Sequence, residues 1–278
     1  MNTVYTVLDA LLPWEMFSFQ FMKNALLAVL LITPLLGVLG TMAVNNRMAF
    51  FSDALGHSAL TGVALGVLLG IPDPLVCMVA FGVLLALLIT RVRRSQTSSS
   101  DTIISVFASA AMALGLVILT QGGNFQQYNA YLVGDLLSIA PEQLGLMAIT
   151  LVVVIALWCV IYNPLLMVSI NAPLAASRGV RVRLVENVFV VMVAVVVMLA
   201  IRAVGILLIN SLLILPAASA RNVTRSTRSY QAVTVGLSMA CGVAGLILSY
   251  LMDTAAGATI ALLLAGSFAV TWLFRRNR

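Results

Sequence analysis

The stretch Met48–Gly70, MAFFSDALGHSALTGVALGVLLG, decides how the rest of the chain is to be understood. It is long enough and apolar enough to cross a bilayer, yet it carries Asp53 and His57, and an ionisable side chain at membrane depth is costly unless something uses it. His57 is the only histidine in the chain. A spacing of four puts both groups on one face of a helix, where a carboxylate oxygen and an imidazole nitrogen can converge on a cation. The same two groups also fit a plain hydrogen-bonded pair inside the bilayer, and the residues alone leave both readings open. Gly56, Gly62, Gly66 and Gly70, with Ala54, Ala59 and Ala64, are expected to let a neighbouring helix approach closely.

Working outward, apolar runs of spanning length recur along all 278 residues. With 62% hydrophobic residues, 9% charged residues and a mean hydropathy of +1.11, the chain falls outside the range of soluble domains. It reads as an all-α polytopic membrane protein of about nine transmembrane helices (eight to ten), forming a single transmembrane domain over 1–278. The spans are expected at 17–43, 48–70, 73–90, 102–121, 143–162, 184–201, 204–220, 229–251 and 255–274. Residues 1–16 form an interfacial arm with Trp14 near the headgroups, and no cleavable signal peptide is evident. The net charge of +6 sits in short arginine clusters between apolar runs, which argues for membrane topology and against a nucleic-acid partner. Cys77, Cys159 and Cys241 stand alone in apolar segments and are expected to be buried, reduced thiols.

Placing Arg47 in the cytoplasm puts every basic residue except Lys23 and Arg202 on the same side, 13 of the 15, which orients the chain N-out and C-in. Residues 122–142 must then begin and end outside, so the apolar run Tyr131–Ile139 reads as a re-entrant or interfacial helix near 128–140. Asp135 within it either touches a passing ion or stabilises the turn. In this orientation His57 lies near the bilayer centre, with Asp53 about one turn closer to the cytoplasm.

The longest cytoplasmic connection is 163–183. Asn171 as cap, Pro173 just inside, Ala175 and the stop residue Gly179 outline a short helix lying across the cytoplasmic face. Such a helix suits the docking of another protein, although an ordinary arginine-bearing connection would read the same way. Asp101-Thr102 is expected to cap the fourth span. Asn210 and Ser211 fall in the middle of the seventh span, where they serve either as interhelical hydrogen-bond glue or as cavity lining.

Several chemistries are excluded. The only lysine, Lys23, lies in an apolar span with no Gly-rich phosphate loop, and a lone histidine cannot build a two-histidine zinc hydrolase centre. The chain is therefore not expected to be an enzyme by itself, and no permanently bound cofactor is expected.

Phe50-Phe51-Ser-Asp53-Ala-Leu-Gly-His57, Gly62-Val-Ala-Leu-Gly66, Asp101-Thr102, Tyr131-Leu-Val-Gly-Asp-Leu-Leu-Ser138 and Val204-Gly-Ile-Leu-Leu-Ile through Leu215-Pro-Ala-Ala-Ser-Ala-Arg221 follow in order over roughly residues 25–275. Together they resemble the membrane subunit of the zinc/manganese class of ATP-binding-cassette importers. The resemblance implies a permease of the prokaryotic plasma membrane that pairs with a second permease copy. It would couple to cytoplasmic ATP-binding subunits and receive zinc, manganese or iron from an extracytoplasmic metal-binding protein. It assigns Asp53 and His57 to the cation site of the pathway and the loop before Gly179 to ATPase coupling, with Asn171, Pro173 and Ala175 in that loop. Two departures stand out: the family's acidic residue ahead of the alanine is missing from Asn171-Ala-Pro-Leu-Ala175, and Gly56 and Ser58 replace alanines near the histidine.

Two residues make a sparse site, suited to transit rather than to storage. Protonation of His57 would oppose metal binding. The rival reading is a stand-alone proton-coupled carrier or channel using the same pair as a relay. A weaker one is an importer permease for chelated iron or cobalamin, whose chains lack the aspartate-histidine motif.

Overall fold

The structure, a computed structural model, describes residues 18–71, 73–95, 98–121 and 136–275. Among them every regular element is helical: α1 Gln20–Asn45, α2 Phe51–Leu68, α3 Pro74–Arg93, α4 Ser100–Gln121, α5 Pro141–Ile170, α6 Ala172–Ser177, α7 Val182–Val223, α8 Thr227–Leu251 and α9 Ala256–Arg275, with a 3-10 turn at Leu136–Ser138. α7 is broken at Gly205, whose φ of 79° and ψ of 163° lie outside the helical region, so it supplies two spans, Val182–Ile201 and Val204–Val223. Among the described residues, nine helices are long and apolar enough to cross a membrane, the number expected from the sequence. The interfacial arm over 1–16 lies outside the described residues, as do Asp135 and most of the re-entrant segment expected near 128–140.

The helix ends follow local chemistry. Asp73 accepts the Leu75 N–H at 3.0 Å with Pro74 at the first helical position of α3, and Ser226 accepts the Ser229 N–H at 3.2 Å at the start of α8. α4 corrects an expectation, because its cap is Ser99, whose hydroxyl lies 3.3 Å from the Thr102 N–H and 2.7 Å from the Thr102 hydroxyl. Asp101 instead sits inside the first turn, where a carboxylate complements the helix dipole. α5 also differs. Asn163-Pro164 reads as a stop, yet the helix continues through Pro164 to Ile170. An internal proline removes one backbone donor, a loss that neighbouring packing in a membrane protein can absorb. The stretch outside the long helices is thus shorter than 163–183.

The chain divides into two compact units. One comprises residues 1–41, 135–152 and 203–278, the other 42–134 and 153–202. In the first, α1 meets the second span of α7 at backbone distance, since a Cβ on Gly40 would fall 1.9 Å from the Leu213 carbonyl oxygen. Ser238 of α8 donates to the Thr33 carbonyl of α1 at 2.7 Å, just ahead of Pro34.

In the second unit, α2 lies between α3 and α4. A Cβ on Gly62 would stand 2.5 Å from the Met78 Cα, and one on Gly115 of α4 would stand 2.8 Å from the Thr61 Cα. Thr61 also donates its hydroxyl to the Ala111 carbonyl. Close backbone approach of this kind stabilises helix pairs in lipid, where apolar burial gives no advantage over acyl chains. Gly62 and Gly66 behave as the sequence suggests, whereas Gly70 has open space around it and instead takes the φ of 67° that ends α2. Cys159 is exposed rather than buried, because its face of α5 points outward; Cys77 and Cys241 are half-buried, and all three are free thiols.

Candidate functional site

α2 begins directly after the turn at Arg47, and Asp53 falls in its first turn. A carboxylate there is favoured by the unsatisfied N–H groups of the helix start. His57 follows one turn later, with Nε2 3.5 Å from Asp53 Oδ1. α2 is about 27 Å long and His57 stands about 9 Å from its start, so the pair occupies one half of the span, with Asp53 nearer the end.

Thirteen of the eighteen residues of α2 are buried. Between Phe51 and Ala64 only Asp53 and His57 are not, with side chains 45% and 40% exposed. The helix is therefore enclosed on every other side over this stretch, and its one opening is lined by a carboxylate and an imidazole. Their separation leaves room for a cation between them, or for the direct contact itself. Among the described residues no third histidine, cysteine, aspartate or glutamate joins them in a metal-holding group. Ser52, one residue earlier, buries its hydroxyl oxygen with no hydrogen-bond partner among the described residues, a detail with no signal in the sequence pattern.

Asn210 and Ser211 belong to the other unit, on the second span of α7. Ser211 donates to the Leu207 carbonyl of its own helix at 2.8 Å, so its hydroxyl is committed locally rather than to a neighbouring helix. Asn210 is half-buried.

The short helix after α5 forms where expected. Asn171 Oδ1 accepts the Leu174 N–H at 3.0 Å, Pro173 lies in the first turn, and Ala175 is buried. Gly179 terminates the element with a φ of 81°, and the Val180 N–H closes back on the Ala175 carbonyl at 3.1 Å.

Counting arginines for topology misses an organised polar cluster. Arg94 at the end of α3 bonds Glu186 Oε2 at 2.9 Å, Asn187 Oδ1 at 2.7 Å and the Arg183 carbonyl at 3.1 Å, all on the first span of α7. Arg93 reaches the Ser100 hydroxyl at 3.2 Å and the Asn46 carbonyl at 3.4 Å. Glu186, the one acidic residue in the first two turns of that span, was the available sequence signal.

Residues 18–275 match the family described as ABC 3 transport family. The chain belongs to that family. It is 32% identical over 261 residues to the high-affinity zinc uptake system membrane protein ZnuB of Haemophilus influenzae, covering 94% of this chain and 99% of that one. It is 30% identical over 265 residues to the manganese import system permease protein ScaB of Streptococcus parasanguinis, covering 94% of each. The solved structure of PsaBC from Streptococcus pneumoniae in complex with Fab superposes with a TM-score of 0.80 at 26% identity, over 98% of this chain and 95% of the solved one. As an ABC 3 family member the chain is a multi-pass permease component of the plasma membrane, and ATP hydrolysis belongs to separate subunits.

Proposed function

We propose that this ABC 3 permease carries a divalent transition metal (zinc, manganese or iron) inward past Asp53 and His57. The supporting observation is that these are the two positions left open along the buried stretch from Phe51 to Ala64, with their nearest nitrogen and oxygen atoms 3.5 Å apart. Imidazole and carboxylate suit all three metals, and a site with only two protein ligands holds an ion loosely enough to release it. The zinc and manganese systems named among the relatives give the same substrate class.

In this reading a second permease copy completes the membrane pathway, and an extracytoplasmic metal-binding protein delivers the ion. Cytoplasmic ATP-binding subunits act on α6, through Asn171, Pro173, Ala175 and Gly179, to alternate access. The ion displaces the direct contact between Asp53 and His57, is held by both with water filling the remaining positions, and leaves toward the cytoplasm. A proton competes for the same imidazole nitrogen, so acidification slows transport. Asp135, Asn210 and Ser211 are further candidates for lining the pathway.

The test is uptake of radioactive zinc and manganese by cells depleted of their own importers and expressing the chain with its ATPase and metal-binding partners. His57→Ala and Asp53→Ala abolish accumulation while membrane insertion and subunit copurification persist. Normal accumulation in either variant contradicts the reading.

A further inference from the structure

The arginine-bearing ends of α3 and of the first span of α7 enclose a cavity of about 680 Å³ lined by Leu87, Arg91, Arg94, Ser95, Arg183 and Asn187. Three arginines and no acidic residue are among the residues that line it. Arg94 is already committed to Glu186 and Asn187, which fixes its position. Arg91 and Arg183 are exposed and have no acceptor among the described residues.

Topological arginines need only water around them. These three instead line one concave space.

The approach to the cavity is apolar. On α3, Leu84 and Leu88 are 55% and 42% exposed and lie one to two turns further into the span than Arg91. A ligand seated on the arginines therefore continues along a hydrocarbon-facing helix surface rather than into water. A guanidinium fork matches a phosphate in geometry and charge, and basic pockets between spanning helices suit anionic headgroups.

We propose that this cavity binds the phosphodiester headgroup of an anionic phospholipid, with Arg91 and Arg183 gripping the phosphate, Arg94 holding the rim, and one acyl chain lying along Leu84 and Leu88. A protein docking from the aqueous side could meet the arginines but would not reach Leu84, about 10 Å deeper. A neighbouring cavity of about 400 Å³ is lined by Arg93, Arg94, Arg183, Glu186 and Ala172, the first residue of α6. The bound headgroup thus shares Arg94 and Arg183 with a cavity bordering the short helix, and anionic lipid is expected to raise ATPase activity in the assembled complex.

The permease is purified with its ATPase subunits and reconstituted in nanodiscs of phosphatidylcholine containing graded phosphatidylglycerol. Native mass spectrometry then counts retained lipids. The wild type retains phosphatidylglycerol preferentially. R91Q/R183Q lowers that retention about tenfold or more, whereas R225Q/R228Q and the charge-keeping R91K/R183K retain most of it. Thermal unfolding of the wild type alone shows stabilisation by phosphatidylglycerol and not by millimolar inorganic phosphate, a measurement that needs no variant. Equal retention of both lipids, or unchanged retention in R91Q/R183Q, overturns the proposal. Stabilisation by inorganic phosphate equal to that by lipid makes it a free-anion site and overturns the lipid assignment. Loss of the ATPase subunits from R91Q/R183Q with lipid retention intact marks a protein-docking surface and overturns it equally.

Discussion

α2 and α5 are opposite solutions to life in a bilayer. α5 is the most hydropathic of the spans, yet only 28% of its membrane window is buried, while α2 is the least hydropathic and 72% of its window is buried. In water that order would be reversed. Lipid accepts Val152, Val153 and Val160 without cost, so the most apolar helix can face outward. A helix carrying Asp53, His57, Ser52, Ser58 and Thr61 has to be enclosed by protein, and its glycines make the enclosure tight. Between Phe51 and Ala64 the two positions left open are nevertheless Asp53 and His57.

The sharpest way to break this contrast is at the pair itself. His57→Ala or Asp53→Ala lowers radiometal uptake by at least about tenfold, while Cys159→Ala on the exposed face of α5 leaves it unchanged; parallel uptake assays decide between them. Next in size is the packing of α2. Gly62→Leu drives a side chain into the Met78 backbone and costs about 1–3 kcal/mol. Gly145→Leu on α5, where a Cβ meets nothing within 4 Å, stays within about 0.5 kcal/mol. Thermal unfolding in matched detergent compares the two. Smaller again is Gly179→Ala, which forces an L residue to a φ of 81° and costs about 1 kcal/mol. On our reading it weakens metal-stimulated ATPase activity more than it weakens folding. The smallest effect is expected from Val160→Ala on the lipid face, within about 0.5 kcal/mol.

Much of this was legible because the membrane imposes long apolar runs and arginine-marked ends. The nine spans, the short helix with Asn171 and Gly179 at its ends, and the close-packing glycines Gly62 and Gly66 all follow from rules that act within one segment. What escaped depends on partners or on competition between neighbours. Ser99 outcompeted Asp101 as the cap of α4 because a hydroxyl one helical turn before Thr102 reaches both its N–H and its side chain. Pro164 failed to stop α5 because tertiary context tolerates one missing bond. Gly70 resembles Gly66 in the sequence, but one ends the helix and the other packs against α3. The Arg94–Glu186 link joins residues 92 apart, and no local pattern announces it.

Anomalous scattering shows most plainly what touches Asp53 and His57. For the assembled transporter crystallised with manganese and measured across the manganese absorption edge, a peak is expected about 2 Å from both His57 Nε2 and an Asp53 carboxylate oxygen. Manganese density elsewhere in the membrane region, with the two side chains still bonded to each other and no metal between them, would contradict it.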